Sequence, residues 1–415
     1  MFKFFKNNEI GNPPWDYYFL KNLDEKEYPL YLAKCFKINT GEKLPLEWSF
    51  RNGTWRINKK KCKTFNQKIQ WIKLYGITDL MRKCTDKVAV RDYVAEKIGE
   101  EYLKPVLQII PSLNCDCHVI ARNNSTLGDE AIQRKRSQLA MNKNTEDKQL
   151  KSGPDCHVAI APRNDRQFND VSTYFDQIDF DKLPNSFVIK CNHGCKWHFI
   201  IKNKEEFLKN KRLFEITKYK ITNWLEQDYS FWGGFEMQYR VKSADRHCGQ
   251  VDFNLEPACQ SAAEKYNQPD CHVTQNAVVP RNDKYIEPKI LIEPFIPEKR
   301  LIEVYCFGSI PKIFADVHLT KEVHICTYNE DFSYSDLILK PGDKLLMQKI
   351  FPDEPLKKAV ELSGELSKDF KFVRVDWMIY ENRLYFEELT FTPYSGFTGF
   401  NKNWNFKIGN LINLQ

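Results

Sequence analysis

Residues 370–391 read FKFVRVDWMIY, then ENR, then LYFEELTF. Two runs of alternating side chains around a short polar break predict a β-hairpin, because residues two apart share a face. On the outgoing strand Arg374, Asp376 and Met378 lie on one face and Val375 and Trp377 on the other. On the return strand Leu384, Phe386, Glu388 and Thr390 share a face. With a three-residue loop at 381–383, Asp376 falls opposite Glu388 and Arg374 opposite Thr390. Like charges directly opposite repel, so the two acids are either exposed to solvent or hold a cation. Two carboxylates with room for phosphates suit magnesium, which demands oxygen ligands and keeps several waters.

Upstream, Leu356 to Phe370 has Pro355 at its start and apolar residues at helical spacing, which predicts an amphipathic helix. RLIEVYCFGSIPKIFADVHL (300–319) predicts a hairpin turning at Gly308-Ser309. YIEPKILIEPFI (285–296) is a strand interrupted by Glu293. A carboxylate there needs a donor, which a ribose hydroxyl, an adenine amino group or a nearby lysine could each supply. In FVIKCNHGCKWHFIIK (187–202), Lys190 ends an apolar strand and a small polar loop with Gly194 follows. A lysine so placed binds phosphate as a point charge, and loop amides line a phosphate. The same pattern also fits a surface lysine on a hairpin. His193 is either a proton carrier or a hydrogen-bonding loop residue. Helices are predicted over 64–76, 85–103 and, highly charged, 205–226.

The chain has 415 residues, 42% hydrophobic and 28% charged, enough for two or three domains of an ordinary globular enzyme. Its net charge of +7 is spread over scattered lysines, which excludes a nucleic-acid-binding arm and suits anionic substrates. No run reaches the ~18 apolar residues of a membrane span, and the start MFKFFKNNEIGNPPW lacks a signal peptide's apolar core. Thirteen cysteines without an export signal predict a reduced, cytoplasmic protein.

Two polar segments, 114–170 and 241–283, break the pattern and share a repeat. DCHVIARN starts at Asp116, PDCHVAIAPRND at Pro154 and PDCHVTQNAVVPRND at Pro269. Cys115, Cys117, His118, Cys156, His157, Cys271 and His272 are zinc-ligand types. Each Cys-His pair is adjacent, however, so its two side chains diverge. The segments resemble translated palindromic repeat elements inserted in frame, which surface loops tolerate because closure entropy grows only logarithmically with length.

Taken together, TFNQKIQWIKLYG, TDKVAVRDYVAEKIGEEYL, FDKLPNSFVIKCNHG, YIEPKILIEPFI and RVDWMIY…YFEELTFTPYSGF resemble the TupA-like branch of the ATP-grasp superfamily, named for teichuronopeptide biosynthesis. The likeness covers about 64–110, 171–240 and 284–410, with both repeat-bearing segments between blocks. It implies an α+β fold in three parts: an N-terminal α/β region at 1–110, an insertion at 111–170, a central lid at 171–290 containing a second insertion at 241–283, and a C-terminal domain at 291–415. ATP would lie between the last two. The resemblance implies that Lys87 and Lys190 reach ATP phosphates and that the loop at 192–196, with Asn192, His193 and Gly194, covers them. Glu293 and Phe295 would lie at the adenine and ribose end, and Lys202 and Glu303 complete the nucleotide set. Arg374 would meet the transferred phosphate or a substrate carboxylate. Asp376 and Glu388 would hold magnesium, with Thr390 where many relatives have an asparagine ligand.

The chain departs from the branch in two places. His193-Gly194-Cys195-Lys196 stands for the usual HGSG, and a missing glycine stiffens the loop. Leu301-Ile302-Glu303 stands where Asp-Tyr-Lys is frequent, so a contact is lost or replaced by Arg300. The implied activity is ATP- and Mg2+-dependent carboxylate–amine ligation through an acyl phosphate, joining an acidic sugar of a surface polysaccharide to an amino acid or amino sugar. A glycan kinase on the same scaffold and a catalytically silent component of a glycan-synthesis locus are the alternatives.

Overall fold

The computed structural model describes residues 20–111, 174–241, 285–297, 300–319, 323–339, 344–345 and 352–414. The Cys-His repeats, and with them the zinc and insertion readings, lie outside the described residues. The described strands are β1 (Leu46–Ser49), β2 (Thr54–Ile57), β3 (Gln108–Pro111), β4 (Phe187–Cys191), β5 (His198–Ile201), β6 (Lys289–Pro294), β7 (Arg300–Phe307), β8 (Ile310–Leu319), β9 (Val323–Asn329), β10 (Tyr334–Ser335), β11 (Lys344–Leu345), β12 (Phe372–Tyr380) and β13 (Arg383–Thr390). They form a β1–β2 hairpin, a four-stranded sheet of order β3-β6-β4-β5, and a seven-stranded sheet of order β10-β9-β8-β7-β12-β13 with β11 on β9.

Alternation along β7 and β12 puts Ile302, Val304, Val373, Val375 and Trp377 on one face of the large sheet, all fully buried. The helix Glu354–Ser367 covers that face with Leu356, Ala359, Leu362 and Leu366. Asp353 caps it by accepting from the Leu356 amide at 3.1 Å, and Pro355 fits its first turn, where an amide has no partner to lose. Trp377 inserts beneath the helix and its Nε1–H donates to Ser363 Oγ at 2.8 Å, so the ring is buried without an orphaned donor. Arg300 pins the helix start to the sheet through Asp316 (2.8 and 2.6 Å) and Asp353 (2.6 and 3.0 Å). Residues 300 and 303 differ by an odd number, so they face opposite sides of the sheet. Arg300 therefore does not replace a substrate contact near Glu303.

Helices Phe65–Trp71, Asp79–Thr85 and Val90–Ile98 send Phe65, Ile69, Met81, Val90 and Val94 into the same core as the large sheet. The expected N-terminal region thus shares its core with the C-terminal sheet. The four-stranded sheet has its own core of Phe187, Ile189, Ile290 and Ile292 packed on Phe207, Ile221 and Leu225. The boundaries expected at 110 and 290 cut through β3 and β6, and both strands pair within this smaller sheet. The helical stretch expected at 205–226 is two helices, Lys204–Lys209 and Lys211–Leu225. They part at Asn210, whose side chain accepts from the Leu213 amide at 3.0 Å and caps the second.

The closing hairpin turns through two residues. Tyr380 faces Arg383, and Glu381 and Asn382 have φ of 48° and 61°, the left-handed pair that matches strand twist. Asp376 nevertheless faces Glu388, and Arg374 faces Thr390, because the register shifts beside Trp377 and β13 takes in one extra residue, Glu387.

Candidate active site

In the small sheet, β4 turns Phe187 and Ile189 inward and Lys190 to the opposite face, where directly paired positions place Leu291, Glu293, Ile109 and Ile200. Lys190 Nζ lies 2.6 Å from Glu293 Oε2, and Arg91 is 3.9 Å from the other oxygen. Burial would raise the Glu293 carboxyl, but Lys190, Lys104 and Arg91 outweigh it and hold it below the usual range. The donor that the sequence left open for Glu293 is a lysine.

This face looks across a cleft to β13. Four cations (Lys87, Arg91, Lys104, Lys190) line it against three carboxylates (Glu293, Glu387, Glu388), with Val90, Leu291 and Phe386 as apolar walls. Glu387 pairs with Lys104. Neither was singled out from sequence: Lys104 sat at a helix end before Pro105, and Glu387 reaches the cleft only because of the bulge. Lys87 donates from Nζ to the Gly194 carbonyl and from its amide to the Asn192 carbonyl at 3.1 Å, which ties it to the loop at 192–196.

That loop differs from expectation. Asn192 is fully buried and holds β6, donating to the Glu287 carbonyl at 2.9 Å and accepting from the Lys289 amide at 2.7 Å. His193 is fully buried too, with its ring nitrogens 3.1 Å from Asn192 Oδ1 and 3.1 and 3.3 Å from the Trp224 and Gln227 carbonyls. Burial pushes its pKa down to about 4, so the ring is neutral. Both side chains brace the smaller sheet and the helix beside it, and neither is presented to the cleft. A Cβ on Gly194 would sit 2.4 Å from the Trp197 ring, which explains this glycine. Lys196 stands at φ 60°, in the left-handed region, where the resemblance has glycine. Lys202 Nζ lies 6.0 Å from the Phe295 ring, and neither residue lines the cleft.

On the large sheet, Arg374 donates to both oxygens of Asp376, at 2.7 and 2.6 Å. Glu303 lies 3.4 Å away and Glu388 4.0 Å away. The Thr390 hydroxyl is 3.0 Å from Asp376 Oδ2 and 3.2 Å from Glu388 Oε1. One guanidinium thus faces three carboxylates. Burial raises the Asp376 carboxyl; Arg374 pulls it down, while Glu303 and Glu388 push it further up, and the outcome is a raised pKa. The rings of Tyr394 and Tyr305 lie 5.5 and 6.0 Å from Arg374 Cζ. Glu388, its side chain 35% exposed, belongs to both the cleft and this cluster. Among the described residues no group of three or more His, Cys, Asp or Glu side chains is set to hold a metal unaided. Two carboxylates and a hydroxyl fit an ion that completes its shell with water and phosphate oxygens.

Behind the hairpin lies a buried charge pair absent from the sequence reading, Lys73 and Glu236, 0% and 6% exposed. Burial lowers Lys73 to about 8, and Glu236 opposes that; burial raises Glu236 to about 7, and Lys73 opposes that. Lys73 was not singled out from sequence: besides Gln70, three positions away at 3.2 Å, its partners Ser395 and Glu236 lie more than 150 positions off.

Residues 270–413 match the family model described as TupA-like ATPgrasp. Similar solved structures include D-alanine–D-alanine ligases. That of Bacillus anthracis is 10% identical over 80% of this chain and 66% of its own, with a TM-score of 0.32. That of Coxiella burnetii is 10% identical over 91% and 77%, TM-score 0.34. That of Helicobacter pylori is 13% identical over 88% and 76%, TM-score 0.31. The chain thus spans just under two thirds of the Bacillus anthracis enzyme. No curated protein matches the chain. Among the described residues no helix is long and apolar enough to cross a membrane. Over residues 270–413 the chain is thus similar to the TupA-like ATP-grasp family.

Proposed function

We propose that the chain is an ATP- and magnesium-dependent ligase that joins a carboxylate to an amine through an acyl phosphate. The observation that carries this reading is the shared position of Glu388. It closes the cleft lined by Lys87, Lys104 and Lys190 and also contacts the Arg374–Asp376–Thr390 cluster. A triphosphate lying along the lysines therefore ends at the acids and the arginine.

Phosphoryl transfer asks mainly for alignment and charge neutralisation. Lys190, held by Glu293, and Lys87, held by the loop, supply fixed positive charge to the phosphates. Ile109 and Ile200, 43% and 45% exposed on the cleft face of the lid sheet, offer an apolar surface to the base. Asp376, Glu388 and Thr390 would hold magnesium, which neutralises phosphate oxygens and orients the transferred group. Arg374 stabilises charge on that group or orients the acceptor carboxylate. The acceptor class, an acidic sugar of a surface polysaccharide made in the cytoplasm, with an amino acid or amino sugar as the amine, follows from the family resemblance.

The test is magnesium-dependent ATP turnover with acidic sugars and amines, with hydroxylamine added to trap an acyl phosphate. Asp376→Ala and Glu388→Ala should each lower turnover at least ~100-fold, the scale of losing one preorganised electrostatic group. Unchanged turnover in both variants would refute the assignment. Turnover without a hydroxamate product would move the chain to the kinase reading.

A further inference from the structure

The segment 392–396 follows the metal hairpin at once and is held in an unusual shape. Tyr394, Ser395 and Gly396 have φ of 50°, 54° and 72°, three successive left-handed residues, two of which carry side chains. Such a backbone persists only where its surroundings over-determine it. Here they do. Gln70 Nε2 donates to the Ser395 and Gly396 carbonyls at 2.9 and 3.1 Å. Lys73 Nζ donates to Ser395 Oγ at 2.8 Å and to the Ser395 carbonyl at 3.3 Å. Ser395 Oγ donates to the Gly233 carbonyl at 2.6 Å, and Thr392 Oγ1 donates to Glu236 at 3.0 Å. Gly396 is pressed so close that a Cβ would sit 2.4 Å from Gln70 Nε2. Lys73 itself lies in the five-residue π-turn Ile72–Gly76, a widened turn common at functional sites.

What this bracing delivers is Tyr394, whose ring lies 5.5 Å from Arg374 Cζ, on a guanidinium that also binds Asp376. We infer that Lys73 is a positioning residue: through Ser395 it locks the left-handed segment that sets Tyr394 against Arg374 and so fixes the guanidinium for phosphoryl transfer. The inference rests on the proposed role of Arg374. An ordinary buried ion pair with Glu236, serving only to hold the fold, is the competing account.

Steady-state kinetics of magnesium-ATP turnover in Lys73→Met, Tyr394→Leu and the double variant separate the two. Each single variant should lose at least tenfold in kcat with KM for ATP within threefold, since neither residue lines the nucleotide cleft. The double variant should be no slower than the worse single, because both act through Arg374. Multiplicative losses, or an unchanged kcat in Tyr394→Leu, overturn the inference. Lys73→Met strands the Glu236 charge and could unfold the chain, so Lys73→Met/Glu236→Gln is measured as well. It should recover wild-type melting while keeping the kcat loss, and recovered kcat would make Lys73 a fold residue only. If the wild type turns over no ATP, the proposed function fails, and amide exchange still decides the clamp. Residues 394–397 should exchange at least tenfold faster in Lys73→Met/Glu236→Gln than in the wild type, and equal rates refute it.

Discussion

Replacing Arg374 with methionine removes the only positive group bonded to Asp376 among the described residues, and it leaves Glu303, Asp376 and Glu388 facing one another. The guanidinium side chain is 10% exposed and that of Asp376 13%, so water replaces little of the lost interaction. Breaking a buried pair from one side costs about 3–5 kcal/mol, because a charge is left uncompensated. Arg374→Met should lose that much unfolding free energy in magnesium-free urea titrations followed by circular dichroism. Removing the opposite charge as well, in Arg374→Met/Asp376→Asn, should recover more than half of it. A divalent cation should take over part of the guanidinium's task. If the freed carboxylates bind magnesium with a Kd of about 1 mM, 10 mM magnesium stabilises the variant by about 1.4 kcal/mol. The wild type should gain less in the absence of nucleotide, since Arg374 competes for the same oxygens. Stability within 0.5 kcal/mol of wild type, or an equal magnesium response in both proteins, refutes the view that these acids form one cation-seeking cluster.

Lys196→Gly should stabilise the chain by about 0.5–1 kcal/mol in urea unfolding. It relieves a left-handed non-glycine residue worth about 1–2 kcal/mol, less the extra entropy of glycine in the unfolded chain. Lys196→Ala, which keeps the strain, should not. His193 is neutral in the fold, with a pKa of about 4 against ~6.5 when unfolded, so the unfolded chain binds more protons between those values. Its contribution is complete above pH ~6.5 and disappears as pH falls through 4, a loss of about 3 kcal/mol. His193→Gln should show a correspondingly shallower decline in stability from pH 6.5 to 4, and a slope equal to wild type would contradict the buried neutral ring.

Period-two patterning made the acid-bearing face of β12 readable, but on β13 it put Leu384 and Phe386 on the face of Glu388 and Thr390, and the bulge at Glu387 instead turns them to the Trp377 side. The same parity placed Lys190 and Glu293 on separate elements but could not pair them, since strand partners 103 residues apart are chosen by packing. His193 looked available because it sits in a polar loop, yet Trp197 and the Trp224 and Gln227 carbonyls enclose it. Phe65, Ile69 and Val94 announced amphipathic helices without saying which core they would join. Lys73 was hidden most thoroughly. A lysine on a helix defaults to solvent, and its burial depends on a backbone shape at 394–396 that no local preference favours.

The Asp376–Glu388 pairing came out as the sequence suggested, though by a different route. A three-residue turn and a two-residue turn with a bulge give the same register beyond residue 376, so counting along the chain could not tell them apart. The chemistry can. With the two-residue turn and no bulge, Asp376 would face Glu387, and Glu388 would oppose Val375 on the face packed under the helix Glu354–Ser367. With a three-residue turn and no bulge, Glu388 would keep its place and Glu387 would point into that apolar core. Only the bulge lets two successive glutamates look into one cleft, Glu387 toward Lys104 and Glu388 toward Thr390 and Arg374. The single extra residue in β13 therefore joins the lysine-lined cleft to the arginine cluster, and neither half alone has the charge arrangement that the proposed phosphoryl transfer needs.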